Sequence, residues 1–512
     1  MSSAQGVKGF YTGKNIFLTG GTGFLGVCLL EKILRNLPEC GSIYVLMRPK
    51  KGKEISERLE EIKKNKIFEP LLKERSAESI FANVKAIAGD VGQEGLGLSP
   101  ADRKLLIDNV NVIFHSAATL DFGEPLKSTV HINLLGTRAI AELAKECKKL
   151  NVLVHVSSAY VNSWRLEADE IIYPLNYDAE KLIKQAKELS EEELDSQTPA
   201  ILGDHPNTYT ITKHMAEHEV QKVETTVPCA IVRPSMILGC WKDPIPGWTM
   251  SKNGPPGFFM GAAKGVVRRL PVGKDLVYDY VPVDIVVNTL LTAGFHAGVS
   301  NSKKVEVYHA TSSTRNPFCW ASVEDRINGL LHDYPVKSAV WYPHLKLLPS
   351  IMWFKISAIF VHILPALILD QVLSLTGGRP ILMRLHRNIN TSLDRLEKFI
   401  FTEWKFPAPN TEKLQKWLTE KDQADFNTDL SALKWPDFFV GMVIGSRIYL
   451  NNEPMKTLAA AKSHDRILYI AHLFVQALIY SLIWFIVACV FGLTMTKAAY
   501  VLPVIYALFS LL

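Results

Sequence analysis

The sequence predicts an α/β chain: a doubly wound parallel sheet, then a mainly helical region, then a C-terminal transmembrane helix. Three observations predict it. The apolar run Asn15-Ile16-Phe17-Leu18 leads into Thr19-Gly20-Gly21-Thr22-Gly23-Phe24-Leu25-Gly26 and then into a helical pattern from Val27 to Leu37. Strand, glycine turn and helix in that order open a dinucleotide-binding βαβ unit. Further short apolar runs follow at Ser42–Arg48, Val84–Val91, Val112–Ala118, Val152–Tyr160 and Ala230–Ser235, with helical patterns between them. That alternation belongs to a Rossmann-type parallel sheet. Finally, Ile467 to Leu493 contains no Asp, Glu, Lys or Arg.

The glycine turn reads residue by residue. Gly20 permits a tight turn, Gly23 lets the backbone approach a pyrophosphate, and Gly26 lets the helix pack on the strand. The helix N-terminus then offers N–H groups and a positive dipole end to phosphates. Thr19, Thr22, Phe24 and Leu25 complete the candidate cofactor turn.

Arg48 ends the second strand, where NAD-using folds carry an acid for the ribose 2′-hydroxyl. A guanidinium favours a 2′-phosphate, and one charge-assisted contact gives about ten- to a hundredfold preference. Lys50 and Lys51 add charge beside it, so the expected cofactor is NADPH. Lys53–Ser76 is charged and helical in pattern. The third strand ends in Gly89-Asp90-Val91 and the fourth in His115-Ser116-Ala117-Ala118, whose small residues let backbone lie against a cofactor. His115 reads as structural. The fifth strand ends in Ser157-Ser158. The acidic stretch Asp178–Asp195 reads as an exposed face, not a metal site.

Pro206-Asn207-Thr208-Tyr209-Thr210-Ile211-Thr212-Lys213 holds a Tyr and a Lys four apart, on one helix face. The expectation is that the ammonium lowers the phenol pKa from about 10, so that Tyr209 can donate a proton near neutral pH. The sixth strand ends at Pro234, and Trp241–Arg269 is rich in loops, aromatics and the basic residues Lys264, Arg268 and Arg269. Loops after such strands shape a substrate site, and these cations could meet the phosphates of coenzyme A. A solvated basic surface is the equal alternative.

The TGxxGxxG spacing resembles the extended short-chain dehydrogenases/reductases (SDRs). That resemblance implies Ser158, Tyr209 and Lys213 as catalytic residues, Asn133 as support for a proton-relay water, and Asp90 at the adenine amine. With Tyr44–Lys50, His155–Tyr160, Gly203-Asp204, Pro246-Gly247-Trp248, Val281–Asp284 and Thr428–Phe439, the chain resembles the fatty acyl-CoA reductases. The resemblance implies cofactor contacts at Val91, Ala117, Ala118 and Pro234 too. It also implies reduction of long-chain acyl-CoA to a primary alcohol, with release of CoA and use of two NADPH. Two rivals stay open: a membrane-anchored hydroxysteroid dehydrogenase, which would more often use NAD, and an NADPH-sensing membrane scaffold without turnover.

The expected division is a tail at 1–13, an NADPH-binding catalytic domain at 14–315, a helical domain at 316–451, a membrane helix at 467–493 and a short apolar segment at 498–512. Ile351–Leu369 is apolar but carries Lys355, His362 and Pro365, and reads as a buried or interfacial helix. The run from Ile467 covers about 27 residues, or ~40 Å of helix, enough to span with tilt. Lys456, Lys462 and Arg466 before it place the upstream domains in the cytosol. Endoplasmic reticulum and peroxisome are equally compatible. A net charge of +6 suits anionic ligands or a membrane surface and does not indicate a nucleic-acid binder. Seven scattered cysteines form no zinc motif or disulfide framework, so no metal is expected. Oligomeric state, a homo-oligomer included, is left open.

Overall fold

The computed structural model describes residues 6–49 and 52–511. Its residues group into two units whose segments alternate along the chain. The first contains residues up to Trp248, Val277–Phe318 and Glu403–Trp435. The second contains Thr249–Leu276, Cys319–Thr402 and Pro436 onwards. The expected boundary at 315/316 lies three residues from one such passage, but the chain makes four others.

The first unit is built on a seven-stranded parallel sheet. Its strands are β1 (Ile16–Thr19), β2 (Ile43–Met47), β3 (Val84–Ala88), β4 (Val112–His115), β5 (Val152–Val156), β6 (Cys229–Pro234) and β7 (Glu306–Ala310). The spatial order is β7-β6-β5-β4-β1-β2-β3. All of its pairings are parallel, with Thr19 opposite His115 and His115 opposite His155. The order reverses between β1 and β4, and such a switch point opens a crevice at the carboxyl ends of the strands. β1, β2, β4, β5 and β6 are buried along their whole length, which is why their sequences are continuous apolar runs. The last strand of the sheet, β7, runs over Glu306–Ala310.

Helices cover both faces. α1 (Phe24–Asn36) follows the glycine turn. α2 (Gly136–Glu146) continues a π turn at Val130–Leu135. α3 (Thr208–Gln221) carries the Tyr-Lys pair, and α4 (Val283–Ser300) is buried against β5 and β6. α4 is long and apolar enough to cross a membrane, but it is a core helix. Gly6–Tyr11, expected within a tail, is helical, and the Tyr11 hydroxyl donates to the Leu291 carbonyl at 2.8 Å. The acidic stretch after Asp178 forms two helices, Ala179–Glu188 and Glu191–Leu202, the second opened by a Ser190/Glu193 capping box.

Residues 403–435 return to the first unit. Buried Glu170 accepts from the backbone N–H of His309 at 2.6 Å and of Asn410, and from the Thr411 hydroxyl at 3.0 Å. Trp404 and Phe406 meet the Tyr160 ring edge-on at 5.5 and 5.3 Å, and the Trp404 indole donates to the Ser163 carbonyl at 3.2 Å. The strap thereby braces the loop that follows β5.

In the second unit, α5 (Ile351–Ala358) passes through a π turn into α6 (Leu364–Leu375), followed by α7 (Leu382–Ile400). Of the two expectations for Ile351–Leu369, a buried or an interfacial helix, the buried one does not hold, because most of Ile351–Leu375 is exposed. α8 (Leu458–Phe491) is almost wholly exposed and apolar. Gly492, with φ +60°, ends it, and α9 (Leu502–Leu511) packs back on it.

Candidate active site

The site lies in the first unit, at the carboxyl ends of β1, β4 and β5. Gly20 has φ +72°, and a Cβ there would sit 2.7 Å from the Ala117 amide nitrogen. A Cβ on Gly26 would fall 2.2 Å from the Gly20 carbonyl oxygen, so helix and turn touch backbone to backbone. Gly23 is different. It caps α1 without a side chain, and a Cβ there would meet only the Gly20 carbonyl, at 3.3 Å. That leaves an open cradle at a helix N-terminus, suited to a pyrophosphate. Thr22 and Leu25 line the same turn, and Phe24 stacks on Trp248 at 5.6 Å.

A buried chain of hydrogen bonds ties the turn to the helix opposite. The Thr19 hydroxyl accepts from Ala117 N at 3.2 Å and meets His115 Nδ1 at 2.8 Å. His115 Nε2 meets the Thr137 hydroxyl at 2.9 Å, and that hydroxyl donates to the Asn133 carbonyl at 2.7 Å. Since Thr137 uses its proton on Asn133, His115 must donate from Nε2 and accept at Nδ1. Burial pulls its pKa down to about 3, which keeps it neutral. His115 is thus structural. Asn133 sits in the π turn, a distortion often found at functional sites. Its Oδ1 accepts from Thr119 N at 3.0 Å and its Nδ2 donates to the Thr212 hydroxyl at 3.2 Å, beside Lys213.

The structure brings Ser158 and Tyr209 together, with Lys213 one turn further along the same helix. Asn207 caps α3 by accepting from Thr210 N at 2.9 Å, which fixes the first turn that carries Tyr209. The Tyr209 hydroxyl is hydrogen-bonded with Ser158, and its ring lies 5.6 Å from Phe122. Burial pushes the phenol up to about 12, the Ser158 bond offsetting part of the rise. This corrects the expectation of a lowered phenol pKa. Lys213 does share the helix face, but its ammonium points to the end of β5. It donates to the Val156 carbonyl at 2.6 Å and lies 3.2 Å from His155 Nε2. Burial lowers Lys213 from 10.5 to about 7, with Glu217 pulling it part of the way back.

Ser157 takes no part in this constellation; its hydroxyl donates to Glu217 at 2.5 Å. Glu217 and Arg233 form a fully buried pair, with contacts of 2.7 and 2.8 Å. Arg233 also donates to the carbonyls of Ile171 and Asp169 at 2.7 and 3.0 Å, and immediately precedes Pro234. Sequence reasoning missed Glu217, Arg233 and Thr212. Two of them had a signal: Glu217 continues the 209–213 face by four, and Arg233 is a lone charge inside an apolar strand.

At the far end of the crevice, Arg48 follows β2 and lies 3.4 Å from Asp90, its side chain 57% exposed. Asp90 Oδ1 accepts from Gly92 N at 3.0 Å, and neighbouring Val91 is buried. The Arg58 guanidinium donates to the Arg48 carbonyl. Lys50 and Lys51 lie outside the described residues. Ala117 and Ala118 flank the glycine turn across the switch point, half-buried. Among the described residues, no group of His, Cys, Asp and Glu could hold a metal ion.

Arg268 and Arg269 belong to the second unit. Burial lowers both guanidinium pKa values to about 10, and Arg268 Nε is buried without a hydrogen-bond partner among the described residues.

Comparisons with known proteins agree with this architecture. The NAD-binding family model described as "Male sterility protein" matches residues 18–290, and a second model of that description matches 361–453. A Drosophila melanogaster protein with the provisional name fatty acyl-CoA reductase is 50% identical over 512 residues, 99% of each chain. Fatty acyl-CoA reductase 1 of Rattus norvegicus is 38% identical over 455 residues, 89% of this chain and 88% of its own. The Homo sapiens protein of the same name is 37% identical over the same shares. Among solved structures, the terminal R domain of the myxalamid PKS-NRPS pathway aligns with a TM-score of 0.55 at 20% identity, covering 86% of this chain and 90% of its own. The reductase domain of a Mycobacterium tuberculosis nonribosomal peptide synthetase gives 0.57 at 17%, covering 86% and 92%. At such identities the structural likeness speaks for the fold, a Rossmann-like reductase sheet. The chain is an NAD(P)-dependent oxidoreductase, and it belongs to the fatty acyl-CoA reductase family.

Proposed function

We propose that this protein reduces long-chain fatty acyl-CoA to a primary alcohol, with NADPH as reductant, while anchored in a membrane by α8. The observation that carries the reading is the Ser158–Tyr209 pair at the carboxyl end of β5, with Lys213 one helical turn away. The balanced reaction consumes acyl-CoA, two NADPH and two protons, and yields the alcohol, free CoA and two NADP⁺. The names of the relatives supply the acyl-CoA substrate class.

The residues fit the cofactor. Gly23 and the N-terminus of α1 would hold the pyrophosphate, Asp90 and Val91 the adenine side, and Arg48 a 2′-phosphate. Ala117, Ala118 and Pro234 would border the nicotinamide half. When bound, NADPH supplies a hydride to the acyl carbonyl carbon, first of the thioester and then of the aldehyde.

The chain's own groups do the rest. A phenol held near 12 stays protonated at neutral pH, so Tyr209 serves as a hydrogen-bond and proton donor to the carbonyl oxygen. Ser158 donates to the same oxygen as negative charge develops. Collapse of the thiohemiacetal expels the CoA thiol. A Lys213 side chain that titrates near 7 can return a proton to Tyr209 between the two steps. Asn133 positions Thr212 and the backbone beside it. Residues 14–315 supply these groups. Arg268 and Arg269 are cations of the kind suited to the phosphates of CoA.

The test is NADPH and NADH oxidation by detergent-solubilised protein with palmitoyl-CoA, with products identified by mass spectrometry. Two NADPH per fatty alcohol is expected. One NADPH per free aldehyde would cut the reaction to its first half. Turnover of a sterol in place of any acyl-CoA would overturn the reading.

A further inference from the structure

Helices α5 and α6 are built inside out. Along Ile351–Leu375 the buried positions are Phe354, Ser357, Ala358, His362, Ala366 and Asp370, spaced three or four apart on one helix face. Apart from Phe354, that inner stripe carries polar and small side chains. The outward face carries Met352, Ile356, Phe360, Leu364, Ile368 and Leu375, all exposed. A helix on a water-soluble surface has the opposite pattern.

Three polar side chains of this segment find partners within the second unit, while His362 Nδ1 is buried without one among the described residues. His362 Nε2 accepts from the backbone N–H groups of Arg268 and Arg269 at 3.0 and 3.2 Å. Asp370 accepts from the amides of Ile381, Leu382 and Met383 at 2.9 to 3.1 Å. Lys355 pairs with Asp394 at 2.9 Å. Apart from Lys355, Gln371 and Ser374, what remains outward is apolar, as a lipid-facing surface requires.

The same contacts exclude a membrane crossing. Asp370 holds the start of α7, and Lys355, near the other end of the segment, holds Asp394 late in α7. Helix α7 therefore runs back along the whole of α5–α6. It carries Arg384, Arg387, Arg395 and Lys398 beside Asp394 and Glu397. Charges in that number do not enter the hydrocarbon core together. Placed at the headgroup level, they suit it, and the exposed Arg379, Arg384 and Arg387 suit its phosphates.

We propose that Ile351–Leu375 is a second membrane contact of this protein, a helix lying in the plane of the lipid interface with its outward face in the acyl boundary, and not a second span. The proposal rests on the membrane-bound reading given above. The occupant of the face is the bilayer itself, about 5–10 Å below the headgroups.

The experiment uses full-length protein reconstituted into phosphatidylcholine vesicles. Cys147, Cys319 and Cys489 are the cysteines that are not buried. With all three replaced by Ser, single cysteines at M352C, F360C, I368C and L375C carry an environment-sensitive fluorophore. Quenching by lipids spin-labelled at graded acyl depths locates each probe. The expected result is one shallow depth for all four positions, with quenching about twofold stronger from shallow labels than from deep ones. A depth that sweeps through the midplane from 352 to 375 would mean a span and overturn the proposal. No quenching at any position would mean that protein covers the face, and would also overturn it. A variant that retains only Cys489, on α8, reports the anchor separately. If its probe alone escapes quenching, the anchor reading falls and the interfacial helix stands.

Discussion

Replacing Lys213 by Met should stabilise the cofactor-free protein at neutral pH while abolishing turnover. Lys213 is 2% exposed, and burial lowers its pKa from 10.5 to about 7. A displacement of that size corresponds to about 5 kcal/mol of penalty on the charged form, of which about 4 is present at pH 7. The sign follows from proton binding. Between pH 7 and 10.5 the unfolded chain keeps the proton that the folded chain has released, so wild-type stability rises with pH across that window. A methionine has no proton and no such slope. It does leave the Val156 carbonyl without its 2.6 Å donor, at a cost of about 1–3 kcal/mol. The variant should therefore be more stable by about 1–3 kcal/mol at pH 7 and less stable near pH 10. Urea unfolding of cofactor-free protein, followed by tryptophan fluorescence across that pH range, measures the gap. A variant that is less stable by the same amount at every pH would refute the argument that burial governs Lys213.

Three further outcomes follow from the site. Tyr209→Phe should lower kcat by about 10²–10⁴-fold while leaving NADPH affinity, read by fluorescence titration, within about twofold. Arg48→Glu should lower the ratio of kcat/KM for NADPH over NADH by about ten- to a hundredfold, measured with both cofactors at fixed acyl-CoA. Gly26→Ala puts a Cβ 2.2 Å from a backbone oxygen that cannot swing aside, and should cost about 3 kcal/mol in denaturant unfolding together with cofactor binding.

The sheet was legible because its strands are buried on both faces and need only be apolar runs closed by Gly, Ser or Pro. The Ser158–Tyr209 contact was expected from the family resemblance, and helical spacing put Lys213 on the face of Tyr209. The direction of Lys213 was not legible. Val156, 57 positions earlier in sequence, intercepts the ammonium, and no local pattern announces such a partner. The strap at 403–411 was equally hidden, since Glu170 binds it across about 240 residues. For Ile351–Leu375, overall hydropathy could not reveal which face carries the polar groups. Only the positions of Asp394 and the amides at 381–383 make that visible.

The interleaving of the two units sets the order in which this protein can be made. The sheet is complete once Ala310 has been synthesised, yet its supporting strap ends only at Trp435. Until Thr411 has been made, Glu170 lacks the amides of Asn410 and Thr411, and Tyr160 lacks the rings of Trp404 and Phe406. The intervening chain includes Ile351–Leu375, the apolar segment most prone to stick to other surfaces while unsupported. Helix α8 begins at Leu458, shortly after the strap closes. A ribosome that pauses between residues 311 and 435 would hold a sheet whose loop after β5 is unbraced and whose apolar Ile351–Leu375 segment is already out. Chaperone demand during synthesis should therefore peak in that interval, not at α8.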